Sequence, residues 1–130
     1  MNTIKKIFFD SKSKEEYLVS VITNISTAEI SRFIDTMILA QTEGSSIYFI
    51  GNGGSASTAS HFANDISIGT KSIRAPFRAI SLCDNQAIIT AIANDYGYEY
   101  IFSKQLEIVL DKGDVVVAIS ASGNSKNLIK

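Results

Sequence analysis

The stretch FIGNGGSASTASHFANDIS, residues 49–67, decides how the rest of the chain is read. It runs from an apolar segment through Gly51, Gly53 and Gly54 into a Ser/Thr/Ala-rich segment that carries the only histidine, His61. An apolar strand that ends in Gly-Asn-Gly-Gly-Ser and feeds a helix leaves several backbone N–H groups pointing at one space, with the positive end of the helix dipole behind them. Such a turn can hold an anion. Glycines there allow positive φ and close approach of ligand oxygens, and Asn52 and Ser55 add side-chain hydrogen bonds. The plainer alternative is a strand-to-helix turn with Ser55 as a neutral N-cap. The loop alone leaves both open. It matches neither common nucleotide fingerprint, since no Lys-Ser/Thr follows the glycines and the spacing is wrong for G-x-G-x-x-G.

Outward from this turn, short apolar runs alternate with helical patterns, which predicts βαβ units and a parallel sheet. SIYFI (46–50), FRAISL (77–82) and DVVVAIS (114–120) read as three strands without polar interruption at their centres, as expected when both sheet faces are covered. NQAIITAIAN (85–94) and YEYIFSKQLEIVL (98–110) read as helices separated by DYG, with Gly97 as a helix stop. Residues 1–44 read as an N-terminal helical pair, antiparallel in the simplest arrangement, and 45–130 as the α/β domain. In the pair, Tyr17, Leu18, Val21, Ile22 and Ile25 recur at three and four, as do Ile30, Phe33, Ile34, Met37 and Ile38 before Gly44. Ser13 with Glu16, and Ser26 with Glu29, have capping-box spacing.

Composition bounds the function. At 130 residues with 45% apolar and 19% charged side chains, the chain is expected to fold as one globular unit. A net charge of −1 with scattered Lys and Arg gives no basic stripe for a nucleic acid, and no apolar run reaches membrane-spanning length. The three-residue apolar patch near the start is too short for a signal-peptide core, so the expected location is cytoplasmic. Cys83, the only cysteine, sits in an apolar run and is read as a buried, unreactive thiol.

A second loop of similar chemistry, Ser120-Ala121-Ser122-Gly123-Asn124-Ser125, again lies between a strand and a helical segment. Hydroxyls and backbone amides without a cation suit the dianion of a sugar phosphate. In open α/β sheets ligands bind outside the carboxyl ends of strands near a switch point, and both loops lie at such ends. On the helix after the glycines, Ala56, Ala59, Phe62, Ala63 and Ile66 share one face, while Thr58, His61 and Asp65 lie on the other. His61 and Asp65 are four apart and can reach a common point, as a solvated pair, a general acid/base or two metal ligands. Two ligands are too few for a closed metal site. Asn94 and Asp95, in the cluster Asn94-Asp95-Tyr96-Gly97-Tyr98 at a helix end, read either as a C-terminal turn or as partners for sugar hydroxyls.

With GNGGSASTASHFANDIS, TAIANDYGYEYIF and KGDVVVAISASGNSKNLIK in order, the chain resembles the sugar isomerase (SIS) domain superfamily, and within it the phosphoheptose isomerases. The resemblance implies a three-layer α/β sandwich around a Rossmann-like parallel sheet, assembled as a homotetramer with sites between subunits. It implies substrate contacts from Asn52, Gly53, Gly54 and Ser55, hydroxyl binding by Asn94 and Asp95, and a phosphate held by the loop Ser120, Ala121, Ser122 and Ser125. It implies catalysis by Asp65 with His61, the same two residues as metal ligands where zinc is bound, and aldose–ketose isomerisation of sedoheptulose 7-phosphate. The rival expectation is a non-catalytic SIS-domain protein that binds a phosphosugar or a replication initiator. Three features depart from the family pattern: Asp65 stands where the isomerases have Glu, Ala121 where they usually have Thr, and the family chain continues with a Gln and a second His used in the site. A chain of this extent therefore reads as the front part of an isomerase, not competent alone.

Overall fold

A computed structural model of the chain describes residues 11–70 and 75–130, so the opening residues 1–10 lie outside the described residues. Two compact units are present, Met1–Asp35 and Thr36–Lys130. In the first, helix α1 (Ser11–Thr23) is followed by α2 (Thr27–Glu43), which runs on into the second unit. Ser13 lies inside α1, two residues beyond its first described position, rather than at its N-cap. Ser26 does cap α2: the Glu29 N–H donates to its Oγ at 3.3 Å. The Glu29 carboxylate faces Arg32, 3.5 Å away. Tyr17, Leu18, Ile22 and Ile30 remain exposed.

The second unit is built on a three-stranded parallel sheet of order β2-β1-β3, with β1 Ser46–Gly51, β2 Arg78–Ser81 and β3 Val115–Ile119. β1 is buried along its whole length. Its alternate side chains enter two different cores, as a central strand covered on both faces requires. Ile47 and Phe49 pack with Met37 and Ala40 of α2 and with Ala59 and Ala63 of α3 (Gly54–Asn64). Phe49 and Phe62 meet with ring centroids 5.0 Å apart. On the other face, Tyr48 and Ile50 pack with Leu82, Ile101 and Phe102, against Ile89 and Ile92 of α4 (Gln86–Asp95) and Leu106 of α5 (Ser103–Val109). The expectation that every strand is covered on both sides fails for β2 and β3. Both are edge strands with alternating burial, and Ile80 and Val116 are 45% and 38% exposed.

Two further elements differ from the sequence reading. YEYIFSKQLEIVL is not one helix: a 3-10 turn, Tyr98–Tyr100, precedes α5. Its i to i+3 bonds, Tyr100 N–H to Gly97 O and Ile101 N–H to Tyr98 O, lead into Ile101 and Phe102, consecutive residues that are both 2% exposed. After Asn64 the helical ladder widens into a π-helical segment, Asp65–Gly69. Residues 126–129 form the short last helix, α6 (Lys126–Ile129).

The sheet order sets where a ligand can enter. From β1 the chain crosses to β2 on one side, then passes over to β3 on the other, so the loops leaving β1 and β3 diverge at a topological switch point. The register pairs Gly51 with Ile119, so the glycine turn and the serine loop begin at the same height.

Candidate functional site

Gly51 closes β1 where nothing larger fits. A Cβ there would lie 2.6 Å from the Ser55 carbonyl oxygen and 2.7 Å from its carbon, both backbone atoms of the first turn of α3. Gly53 then takes φ 54° and ψ −121° as the N-cap, a conformation that side chains avoid. The turn is closed by Ser55 N–H to Asn52 O at 2.9 Å and Ala56 N–H to Gly53 O at 3.0 Å. Added Cβ atoms at Gly53 and Gly54 would meet nothing within 4 Å, so this backbone is open to an approaching group.

The serine loop is braced differently. Ser120 Oγ accepts from the Gly123 N–H at 3.0 Å and Ser122 Oγ from the Asn124 N–H at 3.3 Å. A hydroxyl that accepts from the backbone keeps its own proton to donate. Ser125 is the N-cap residue of α6 but makes no side-chain bond to that helix.

Between the two loops lies a cavity of about 210 Å³ lined by Asn52, Ser55, Ile119, Ser120, Ala121, Ser122, Ser125 and Leu128. The structure thus brings together the two loops that the sequence singled out, at the switch point. No charged side chain lines the cavity.

The remaining candidates lie outside that lining. His61 and Asp65 do meet, Nε2 to Oδ2 at 3.3 Å, with side chains 77% and 55% exposed. Asn64 Nδ2 approaches Asp65 Oδ1 at 3.4 Å. Among the described residues no three His, Cys, Asp or Glu side chains gather as a metal site. This pair supplies two donors, and a tetrahedral zinc needs four, so these residues do not by themselves fit a bound zinc. Asn94 and Asp95 end α4, exposed, with Asn94 Nδ2 donating to Asp95 Oδ1 at 2.8 Å.

Two groupings were missed by sequence reasoning. Asn127, 5% exposed, exchanges a pair of amide hydrogen bonds with Asn52, and Tyr98 Oη donates to Asn52 Oδ1 at 2.9 Å. No local pattern marks such contacts, although Tyr98 belongs to the cluster singled out for Asn94 and Asp95. Next to His61, Ser60 Oγ donates to Asp84 Oδ1 at 2.5 Å and lies 3.0 Å from Ser81 Oγ, tying α3 to the end of β2. Cys83 is half-buried, its Sγ 3.5 Å from the Gly51 carbonyl. Burial pushes its thiol pKa up, against the pull of hydrogen bonds to Ser81 and Gly51. This agrees with an unreactive thiol.

Residues 12–130 match the SIS domain family. The chain is 41% identical to a probable phosphoheptose isomerase of Thermoplasma acidophilum over 93% of its own length, and 41% identical to a phosphoheptose isomerase of Helicobacter pylori over 99%. It spans 66% and 65% of the length of those two relatives. Among solved structures it is similar to the phosphoheptose isomerase GmhA from Neisseria gonorrhoeae, with TM-score 0.82 and 31% identity over 98% of this chain and 66% of that one. A phosphoheptose isomerase from Francisella tularensis gives TM-score 0.84 and 29% identity over 99% and 67%. With its parallel α/β sheet, its paired loops at the switch point and a family match over nearly its whole length, the chain belongs to the SIS domain family.

Proposed function

We propose that the protein is a phosphosugar aldose–ketose isomerase, acting on sedoheptulose 7-phosphate to give D-glycero-D-manno-heptose 7-phosphate. The observation that carries this reading is the cavity at the switch point, whose polar lining is hydroxyl and amide and contains no cation. Neutral donors from two loops suit a phosphoryl group. At about 210 Å³ the cavity is below the roughly 300–1,000 Å³ of a pocket for a drug-sized ligand, which fits one phosphoryl end rather than a whole heptose. The names of the relatives supply the sugar.

In the proposed reaction the Asp65 carboxylate removes a proton from C1 of the ketose. The C–H electrons form the C1–C2 double bond, and the C2 carbonyl electrons move onto oxygen to give an enediolate. Transfer of the O1 proton to the C2 oxygen and return of the abstracted proton to C2 leave the aldehyde at C1 and a hydroxyl at C2. His61, 3.3 Å from Asp65, orients that carboxylate. A zinc ion, for which His61 and Asp65 would be two of the ligands, would supply Lewis-acid polarisation of the carbonyl; since the pair provides only half of a tetrahedral shell, no step above depends on it. Asn94 and Asp95 are assigned to sugar hydroxyls. A homotetramer and a cytoplasmic location belong to the same proposal.

The test incubates the full-length protein with sedoheptulose 7-phosphate, with and without zinc, and measures aldose formation. Wild-type turnover is expected to fall by about 10²–10⁴-fold in Asp65→Asn. No aldose under any metal condition would overturn the enzyme reading and leave a phosphosugar-binding module.

A further inference from the structure

Asn52 is where three loops meet. It follows β1; Tyr98 stands just beyond Asn94 and Asp95; Asn127 lies in α6, behind the serine loop. Asn127 Nδ2 donates to Asn52 Oδ1 at 2.7 Å, and Asn52 Nδ2 returns a bond to Asn127 Oδ1 at 2.8 Å. Tyr98 Oη gives Asn52 Oδ1 its second bond, at 2.9 Å. A side-chain amide has two acceptor lone pairs and two N–H donors. Both lone pairs and one donor of Asn52 are therefore spent inside the protein, and one N–H remains. The side chain that lines the cavity can offer a ligand only a donor.

We propose that Tyr98 and Asn127 are positioning residues that hold the Asn52 amide with this N–H free for a ligand oxygen, so that occupying the cavity draws on all three loops at once. The proposal rests on the phosphosugar reading of the cavity and adds two residues to it. Asn127 contributes from within the fold, since it is buried. Tyr98, 55% exposed, contributes a single hydroxyl whose removal leaves the packing intact.

The experiment uses the full-length protein, with Tyr98→Phe, Asn127→Ala, Asn52→Ala and the double variant of positions 98 and 52. The side-chain amide resonances of Asn52, assigned by their loss in Asn52→Ala, are followed by ¹⁵N NMR before and during titration with inorganic phosphate. Tyr98→Phe is expected to move those resonances and to weaken phosphate binding by about 3–10-fold, the scale of one hydrogen bond. In the Asn52→Ala background the same change should cost less than about 2-fold, because the coupled partner is gone. Should Asn127→Ala fail to fold, Tyr98→Phe carries the test. A wild type that binds phosphate, with Asn52 resonances unmoved by Tyr98→Phe or an undiminished effect in the double variant, overturns the proposal alone. A wild type that binds no phosphate overturns the phosphosugar reading, and the proposal with it.

Discussion

At the amino end of α3 the Asn52 side-chain amide is bonded to Asn127 and Tyr98, and the Asn52 backbone carbonyl accepts from the Ser55 N–H. At the carboxyl end His61 and Asp65 lie 3.3 Å apart on an exposed face, with Asn64 alongside. The proposed binding end of this helix is thus cross-linked to distant parts of the fold, whereas the proposed chemical end rests on an i,i+4 contact at the surface. The difference teaches where substitutions should be felt. Changes at the first end should strain the fold or the cavity, and changes at the second should leave stability almost untouched while stopping turnover.

The largest effect on stability is expected from Gly51→Ala. Its Cβ would sit 2.6 Å from the backbone oxygen of Ser55, and α3 can relieve that only by moving. A loss of about 2–3 kcal/mol, the usual scale of overpacking, should be seen in urea denaturation together with weakened phosphate binding. Ser125→Ala sharpens the comparison within the cavity. Because Ser125 makes no capping bond, phosphate affinity measured by calorimetry should fall by roughly 5-fold, one hydrogen bond, with an unchanged melting temperature.

The opposite end is tested by His61→Ala. An exposed pair of this kind contributes under about 0.5 kcal/mol, so thermal unfolding should barely move while aldose formation drops. A large loss of stability would show that the chemical end is structural after all. Smallest of all is the effect expected at Cys83. Its native pKa is raised, so the protonated thiol is the form the fold favours. Stability should be unaffected below the ordinary thiol pKa and should decline as pH rises through the native one, a decline that Cys83→Ala removes in urea titrations across that window. Alkylation by iodoacetamide should likewise be slower in the native protein than in urea.

Local patterns were enough for some of this. SIYFI ends where β1 ends but for Gly51, and Ser26 caps α2. These features depend on neighbours along the chain, which a sequence displays directly. The opposite holds for Asn127. As one polar residue in SGNSKNLIK it carries no sign of its partner, because the pair forms only once β1 and β3 lie side by side. The coverage of β2 and β3 was misread for a similar reason: apolar runs do not reveal which strand takes the centre of a sheet. The His61–Asp65 contact was legible, since four residues along a helix bring side chains together.

The pairing of Gly51 with Ile119 also has a meaning in time. Asn52 and Asn127 are separated by 75 positions, so a growing chain makes the glycine turn long before the residues that complete its cavity. Contacts that span so much chain carry a high closure entropy and form late. β1 and α3 can assemble with β2 first, but the cavity should be among the last parts of the fold to appear and among the first to open on unfolding.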